Sequence, residues 1–231
     1  MNKSPFIWLG AGRAKKRGVA RRGRHLDAAA RAGLPVPEGA ILLDELFRIF
    51  LHEGVVEQVG PDVIVPDPIW LLEVLYRDVR FPRLQKTADV WPILADQDQS
   101  SPAPGVVTYE VDLEDAEKLA AALSNAWSFL EEDNCRRDVS IVTHIEGKTA
   151  GRAQSSAEDA EDIVTVFSGA GEESVNLPHL GRWKRPSQEF APFLRRVQML
   201  LRGVRRTLGD EEVVDFNWTD DGRVCWITLF N

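Results

Sequence analysis

The chain has 231 residues, 44% of them hydrophobic and 28% charged, with a formal net charge of -8. Such values are those of a globular protein, not a disordered chain, and the length is enough to bury about 70% of the unfolded surface in one large domain or two small ones. No apolar run reaches the roughly 20 residues that cross a bilayer, and PFIWLGAG is too short for a secretory core, so a cytoplasmic protein without a membrane span is expected.

Charge is unevenly placed. Basic residues crowd Arg13 to Arg24 and Arg195 to Arg206, while EEDN and EDAEDIV make the middle acidic. Neither cluster interleaves aromatics, which argues against a nucleic-acid binder. Cys135 and Cys225 lack CxxC spacing and are accompanied by four histidines, leaving no disulfide framework or zinc site.

In chain order, FIWLG reads as a short buried strand, followed by a Gly and Arg/Lys-rich loop to Gly23. HLDAAARAG has helical composition and a glycine stop at Gly33, and LPVPEGAILL turns through two prolines into a strand. Asp44 is placed to cap the helix-spaced ELFRIFLHEG, and IWLLEVLYRDV gives another helix after Pro66 and Pro68. Residues 86 to 105 show no period and read as a loop, which allows a small lobe over 1-85 and a larger one over 106-231 within a single unit.

GVVTYEV then predicts a strand. In the following helix Leu119, Ala122, Leu123, Ala126, Trp127 and Leu130 recur at spacings of three and four, with acids in its first turn. DVSIVTHIEG and DIVTVFSGAG read as strands around KTAGRAQSSAEDAED, a polar and mobile segment. SQEFAPFLRRVQMLLRGVRRTLG is a long amphipathic helix, and VVDFNWTDDGRVCWITLFN is a hairpin turning at Asp221-Gly222. Strands and helices mix without strict alternation, which predicts an α+β fold. GAGRAKKRG is neither a Walker loop nor a GxGxxG turn.

Several phrases, taken together and in order, resemble the N-terminal nucleotide-binding domain of the pyruvate phosphate dikinase and phosphoenolpyruvate synthase family. They are RGRHLDAAARAGLPVPEGAILL, VVTYEVDLEDAEKLAAALSNAWSFL, the short runs TAGRA and SGAGE, and the closing hairpin. The resemblance implies an ATP-grasp-like fold of mixed and antiparallel sheets packed with helices, shortened relative to that domain. It also implies roles for individual residues. Counting back from AGLPVP, a phosphate-contacting Lys of the family falls on Arg22 beside Gly23, with His25 close by, and a second cation falls on Arg83, with Arg80 as its alternative. On the hairpin the family's metal-holding Glu falls on Asn217, its Gln on Thr228 and its Arg on Phe230. A neutral amide is a poor ligand for magnesium and Phe cannot donate to a phosphate, so Asp215, on the face of Asn217, is left as the acid for a metal.

These losses lead to the expectation of a non-catalytic subunit or regulator derived from such a domain, with no catalytic residue and no firm cofactor, acting through a protein partner. Aromatic and arginine residues between Leu180 and Arg196 are the expected anchors. The alternative is the ATP-binding half of a split phosphotransferase that uses ATP and Mg2+, its phosphohistidine and pyruvate domains lying on other chains. A further alternative is a nucleic-acid or polyphosphate binder using the basic loop.

Overall fold

The computed structural model describes residues 4-85, 87-94, 108-129, 136-169, 171-209 and 213-231; Cys135 and residues 95-105 of the expected linker lie outside them. The chain forms two compact units, Met1–Arg24 with Glu38–His144, and His25–Pro37 with Ile145–Asn231. Both are α+β, and the chain closes on a β-hairpin as its turn chemistry predicts.

The first unit holds an antiparallel sheet of β1 (Phe6–Trp8), β2 (Gly39–Leu42), β5 (Thr87–Pro92), β6 (Tyr109–Asp112) and β7 (Val139–Thr143), in the order β1-β2-β7-β5-β6. A small hairpin, β3 (Glu57–Val59) with β4 (Asp62–Ile64), lies outside this sheet. Strand β5 corrects the expectation of a loop from residue 86. Its residues Ala88, Val90 and Trp91 are buried, and it pairs with both β6 and β7. Between the strands run α2 (Asp44–Glu53), α3 (Pro68–Glu73) and α4 (Ala116–Ser128). The apolar stripe of α4 is buried as its spacing predicts, with Leu119, Leu123, Ala126 and Trp127 fully enclosed. Trp127 closes the core against the rings of Phe47 and Phe50, whose centroids lie 5.5 and 6.3 Å away.

Asp44 does not cap α2. Leu43 is the N-cap and Asp44 is the first helical residue. The buried N–H of Asp44 donates instead to Oδ1 of Asp138 at 2.8 Å, and the Asp44 carboxylate accepts from the backbone N–H of Arg137 at 3.1 Å. A buried carboxylate distant in sequence thus satisfies an orphan helix donor, at a cost. Burial pushes the Asp138 acid above the usual carboxylate range although Arg136 and the Asp44 N–H hold it down.

The second unit is built on an antiparallel sheet in the order β10-β9-β8-β11-β12, formed by β8 (Thr149–Ser156), β9 (Glu161–Ser168), β10 (Gly171–Pro178), β11 (Val213–Asp220) and β12 (Cys225–Phe230). Helix α5 (Pro192–Thr207) covers one face with Leu194, Val197, Leu201 and Val204. The segment expected to be polar and mobile is therefore β8, a strand between two neighbours. Its inward positions are Gly151, Ala153 and Ser155, which give no hydrophobic signal. They are small because the inward residues of β11 are large: a Cβ on Gly151 would run into the Thr165 carbonyl and the Trp218 ring, 2.7 Å away. Helix α1 (Arg21–Arg31) runs through the division between the units at Arg24 and His25.

Candidate functional site

The turn of the closing hairpin is organised by two aspartates. Asp221 accepts from the backbone N–H groups of Arg223 and Val224, both at 2.7 Å, and from the Trp226 indole at 2.9 Å. These donors stabilise the carboxylate, the Trp226 bond most, and hold its pKa at about 2 against an ordinary 3.8. A depressed folded pKa means that the contribution to stability is present above the ordinary value and is lost as pH falls through about 2. A carbon-detected NMR titration of the Asp221 carboxyl is expected to show this midpoint; an ordinary midpoint would mean the turn is not closed in this way. Asp220, 1% exposed, faces the other way and takes a two-pronged bond from Arg196 of α5 at 2.6 and 2.7 Å.

The face of the sheet opposite α5 carries Arg152, Gln154, Ile163, Asp215 and Asn217, all half-buried or exposed. Asp215 and Asn217 share this face by strand alternation, opposite Gln154 and Arg152 of β8. Arg152 donates from Nε and Nη2 to both Asp215 oxygens, and this pairing raises the pKa of its guanidinium. Nη1 of Arg152 points away from this fork, and its side chain is 54% exposed. The Asn231 amide donates to Oδ1 of Asp215 at 2.9 Å and to Oδ1 of Asn217 at 3.1 Å. The result is a fixed cluster in which one guanidinium and one amide hold a single carboxylate, and that amide also reaches Asn217.

That cluster does not fit a resident divalent metal. Magnesium wants several carboxylate oxygens with free lone pairs, whereas both oxygens of Asp215 are already engaged by Arg152 and Asn231. Among the described residues, no group of three or more His, Cys, Asp or Glu is placed to hold a metal.

The remaining predicted residues are not brought together there. Strand β12 contains one residue more than its partner: Asn217 faces Leu229 and Trp218 faces Ile227, leaving Thr228 unopposed. Thr228 stays half-buried, its hydroxyl donating to the Asn217 carbonyl at 3.3 Å. The extra residue inverts the alternation beyond it, so Phe230 turns inward, fully buried against Phe216 and edge-on to His25 at 5.5 Å. His25 is therefore a buried packing residue, 7% exposed.

Gly23 and Arg22 belong to α1, not to a glycine loop. Gly23 is pressed so closely on Val19 and Ile93 that a Cβ would lie 2.5 and 2.9 Å from them. Arg22 is half-buried in the first turn of that helix. Arg83 belongs to the first unit, where its guanidinium sits 5.9 Å from the Tyr76 ring in a hollow lined also by Leu113 and Glu114. In the basic loop Arg17 is spent on the Ser4 carbonyl and on Glu45, and Arg21, Arg22 and Arg24 are half-buried, while Arg13, Lys15 and Lys16 are exposed. Of the expected partner anchors, Trp183 is 86% exposed with Arg182 stacked on it at 4.9 Å.

One polar group on the α5 side had no sequence signal. Asp162, 0% exposed, is bound by Arg205 of α5 and lies 3.2 Å from Nε2 of His179. Arg205 also donates to the Ser155 hydroxyl at 3.3 Å. Four residues spread over 50 positions meet because α5 packs on β8 and its Arg205 reaches across to Asp162 of β9.

No protein-family model matches this sequence, and no curated protein shows significant similarity to it. Solved structures do. The D-alanine–D-alanine ligase of Helicobacter pylori aligns with a TM-score of 0.50 at 13% identity, over 88% of this chain and 50% of that one. The ligase of the same name from Bacillus anthracis, complexed with ATP, gives 0.48 at 12% identity, over 91% and 53%. The ATP-grasp ligase PsnB with Mg and ADP gives 0.41 at 14% identity, over 96% and 52%. The fold is ATP-grasp-like. The chain spans about half the length of the solved structures it matches. No helix among the described residues is long and apolar enough to cross a membrane.

The similar structures are ligases, not dikinase or synthase domains. This corrects the expected function: neither a non-catalytic derivative of the dikinase and synthase domain nor half of a split phosphotransferase is supported. The basic-loop reading is not supported either: four of its arginines, Arg17, Arg21, Arg22 and Arg24, are half-buried.

Proposed function

We propose that this chain is a nucleotide-binding protein that meets the phosphates of ATP with Arg152 on the open face of the β8/β11 sheet. The observation that carries the reading is the fork between Arg152 and Asp215. Asp215 fixes the plane of the guanidinium and keeps it charged, while leaving the Nη1 edge available to a phosphate oxygen. An arginine held in this way loses less side-chain freedom on binding than a mobile lysine would. The two amides, Asn217 and Asn231, offer neutral hydrogen bonds beside it. The ATP-grasp-like fold supports the choice of nucleotide over other phosphates.

Because Asp215 is already saturated, this reading gives the protein no metal-binding step. Asp215 acts as a positioning residue for Arg152. Isothermal titration of ATP, with and without EDTA, is the direct test. Arg152→Ala is expected to weaken ATP binding by about tenfold or more, the loss of one charge-assisted contact, and to leave adenosine binding unchanged. Equal ATP affinity in Arg152→Ala and the parent protein would overturn the reading.

A further inference from the structure

On the α5 side of the second unit lies a pocket of about 700 Å³, separate from the open sheet face. Its floor is apolar, made by Leu34, Met199, Leu200 and Val224. Its walls carry four arginines, Arg185, Arg195, Arg196 and Arg223, and among the described residues no acid lines it. In a chain of net charge -8, that concentration of guanidinium groups is not the average surface.

The four arginines are not equivalent. Arg196 is neutralised by Asp220, with bonds of 2.6 and 2.7 Å. Arg195 is held by the neutral side chain of Gln188. Among the described residues, neither Arg185 nor Arg223 has a carboxylate within ion-pair distance. Arg185 and Arg195 therefore face the pocket without an acid partner among the described residues, and Arg223 faces it with the Asp221 carboxylate acting on it from beyond ion-pair distance. The segment carrying Arg185 is fixed from below: Arg202 donates to the carbonyls of Gly181, Arg182 and Lys184 at 3.5, 3.3 and 3.1 Å. The wall is thus shaped before any ligand arrives.

Sites for small molecules have volumes of about 300 to 1,000 Å³, an apolar lining and a few converging polar groups. This pocket meets each criterion, and its polar groups have one sign. Cys225 also lines it, but burial and then the nearby Asp220 raise its pKa well above the usual thiol range, so no covalent step is assigned to it.

We propose that the pocket binds an organic anion with an apolar body, a medium-length acyl or alkyl chain ending in a carboxylate or a phosphate. The chain lies on Leu34, Leu200 and Val224, and the head group is met by Arg185 and Arg223 at the rim. The occupant is defined by that combination: charge alone leaves the floor unused, and an apolar chain alone leaves the guanidinium groups unused.

The test is isothermal titration of the whole chain with decanoate, decyl phosphate and decanol. Both anions are expected to bind at least about tenfold tighter than the neutral decanol; the tighter of the two identifies the head group. The double variant Arg185→Ala/Arg223→Ala alters exposed side chains only, and is expected to lose that preference while its thermal unfolding stays as in the parent. Met199→Glu, which sets an acid at the pocket, is expected to weaken both anions. Equal binding of decanol and decanoate, or undiminished anion binding in the double variant, would overturn the proposal.

Discussion

Phe230→Arg is expected to prevent the second unit from folding, and not to create a phosphate contact. On the aligned phrases alone, an arginine at this position would restore a cation to the end of the hairpin. The structure places Phe230 at 0% exposure, between the Phe216 ring at 5.8 Å and the buried His25 at 5.5 Å. Removing such a ring costs about 3 to 5 kcal/mol even when alanine replaces it. A guanidinium in the same space adds the cost of burying a charge. The sum approaches the whole stability of a typical domain. Chemical denaturation followed by circular dichroism is expected to show no cooperative transition for Phe230→Arg. Phe230→Leu, which keeps an apolar side chain there, is expected to fold with a modest loss. A folded Phe230→Arg with improved ATP affinity would mean that residue 230 faces the ligand side after all.

The second large effect is expected at Asp162. Its carboxylate is fully buried and balances Arg205, whose side chain is only 18% exposed. Asp162→Ala leaves that guanidinium without its acid, and breaking a buried pair from one side costs about 3 to 5 kcal/mol. The loss belongs to the unpaired charge more than to the missing bond. Asp162→Leu combined with Arg205→Met, which removes both charges, is therefore expected to recover much of the stability lost by the single change. Urea denaturation midpoints of the single and double variants decide it. If the double variant is as unstable as the single one, packing around residue 162 matters and not the charge balance.

Several features were legible because local chemistry and tertiary packing agree. The stripe of α4 from Leu119 to Trp127 has one period and one buried face. The Asp221-Gly222 turn satisfies its own N–H groups, so the hairpin needed no distant partner to be recognised. Asp215 and Asn217 share a face because a strand repeats every two residues. The readings that failed did so for one reason: the deciding contact came from elsewhere in the chain. β8 passed as a polar loop since its inward residues are small, and they are small because Trp218 stands opposite. Gly23 looked like part of a phosphate loop, yet Val19 and Ile93 are what exclude a side chain there.

The sequence by itself determined the α+β class, the helix faces and the closing hairpin, because periodicity and turn residues act over a few positions. Only the tertiary structure decided which side of that hairpin each residue serves. One unopposed residue, Thr228, reverses the alternation after it and sends Phe230 into the core. The same strand order gathers Arg152, Asp215, Asn217 and Asn231, residues up to about 80 positions apart, into one cluster. A strand's pattern can be read along the chain, but its register, and so the chemistry it presents, is fixed by the strands beside it.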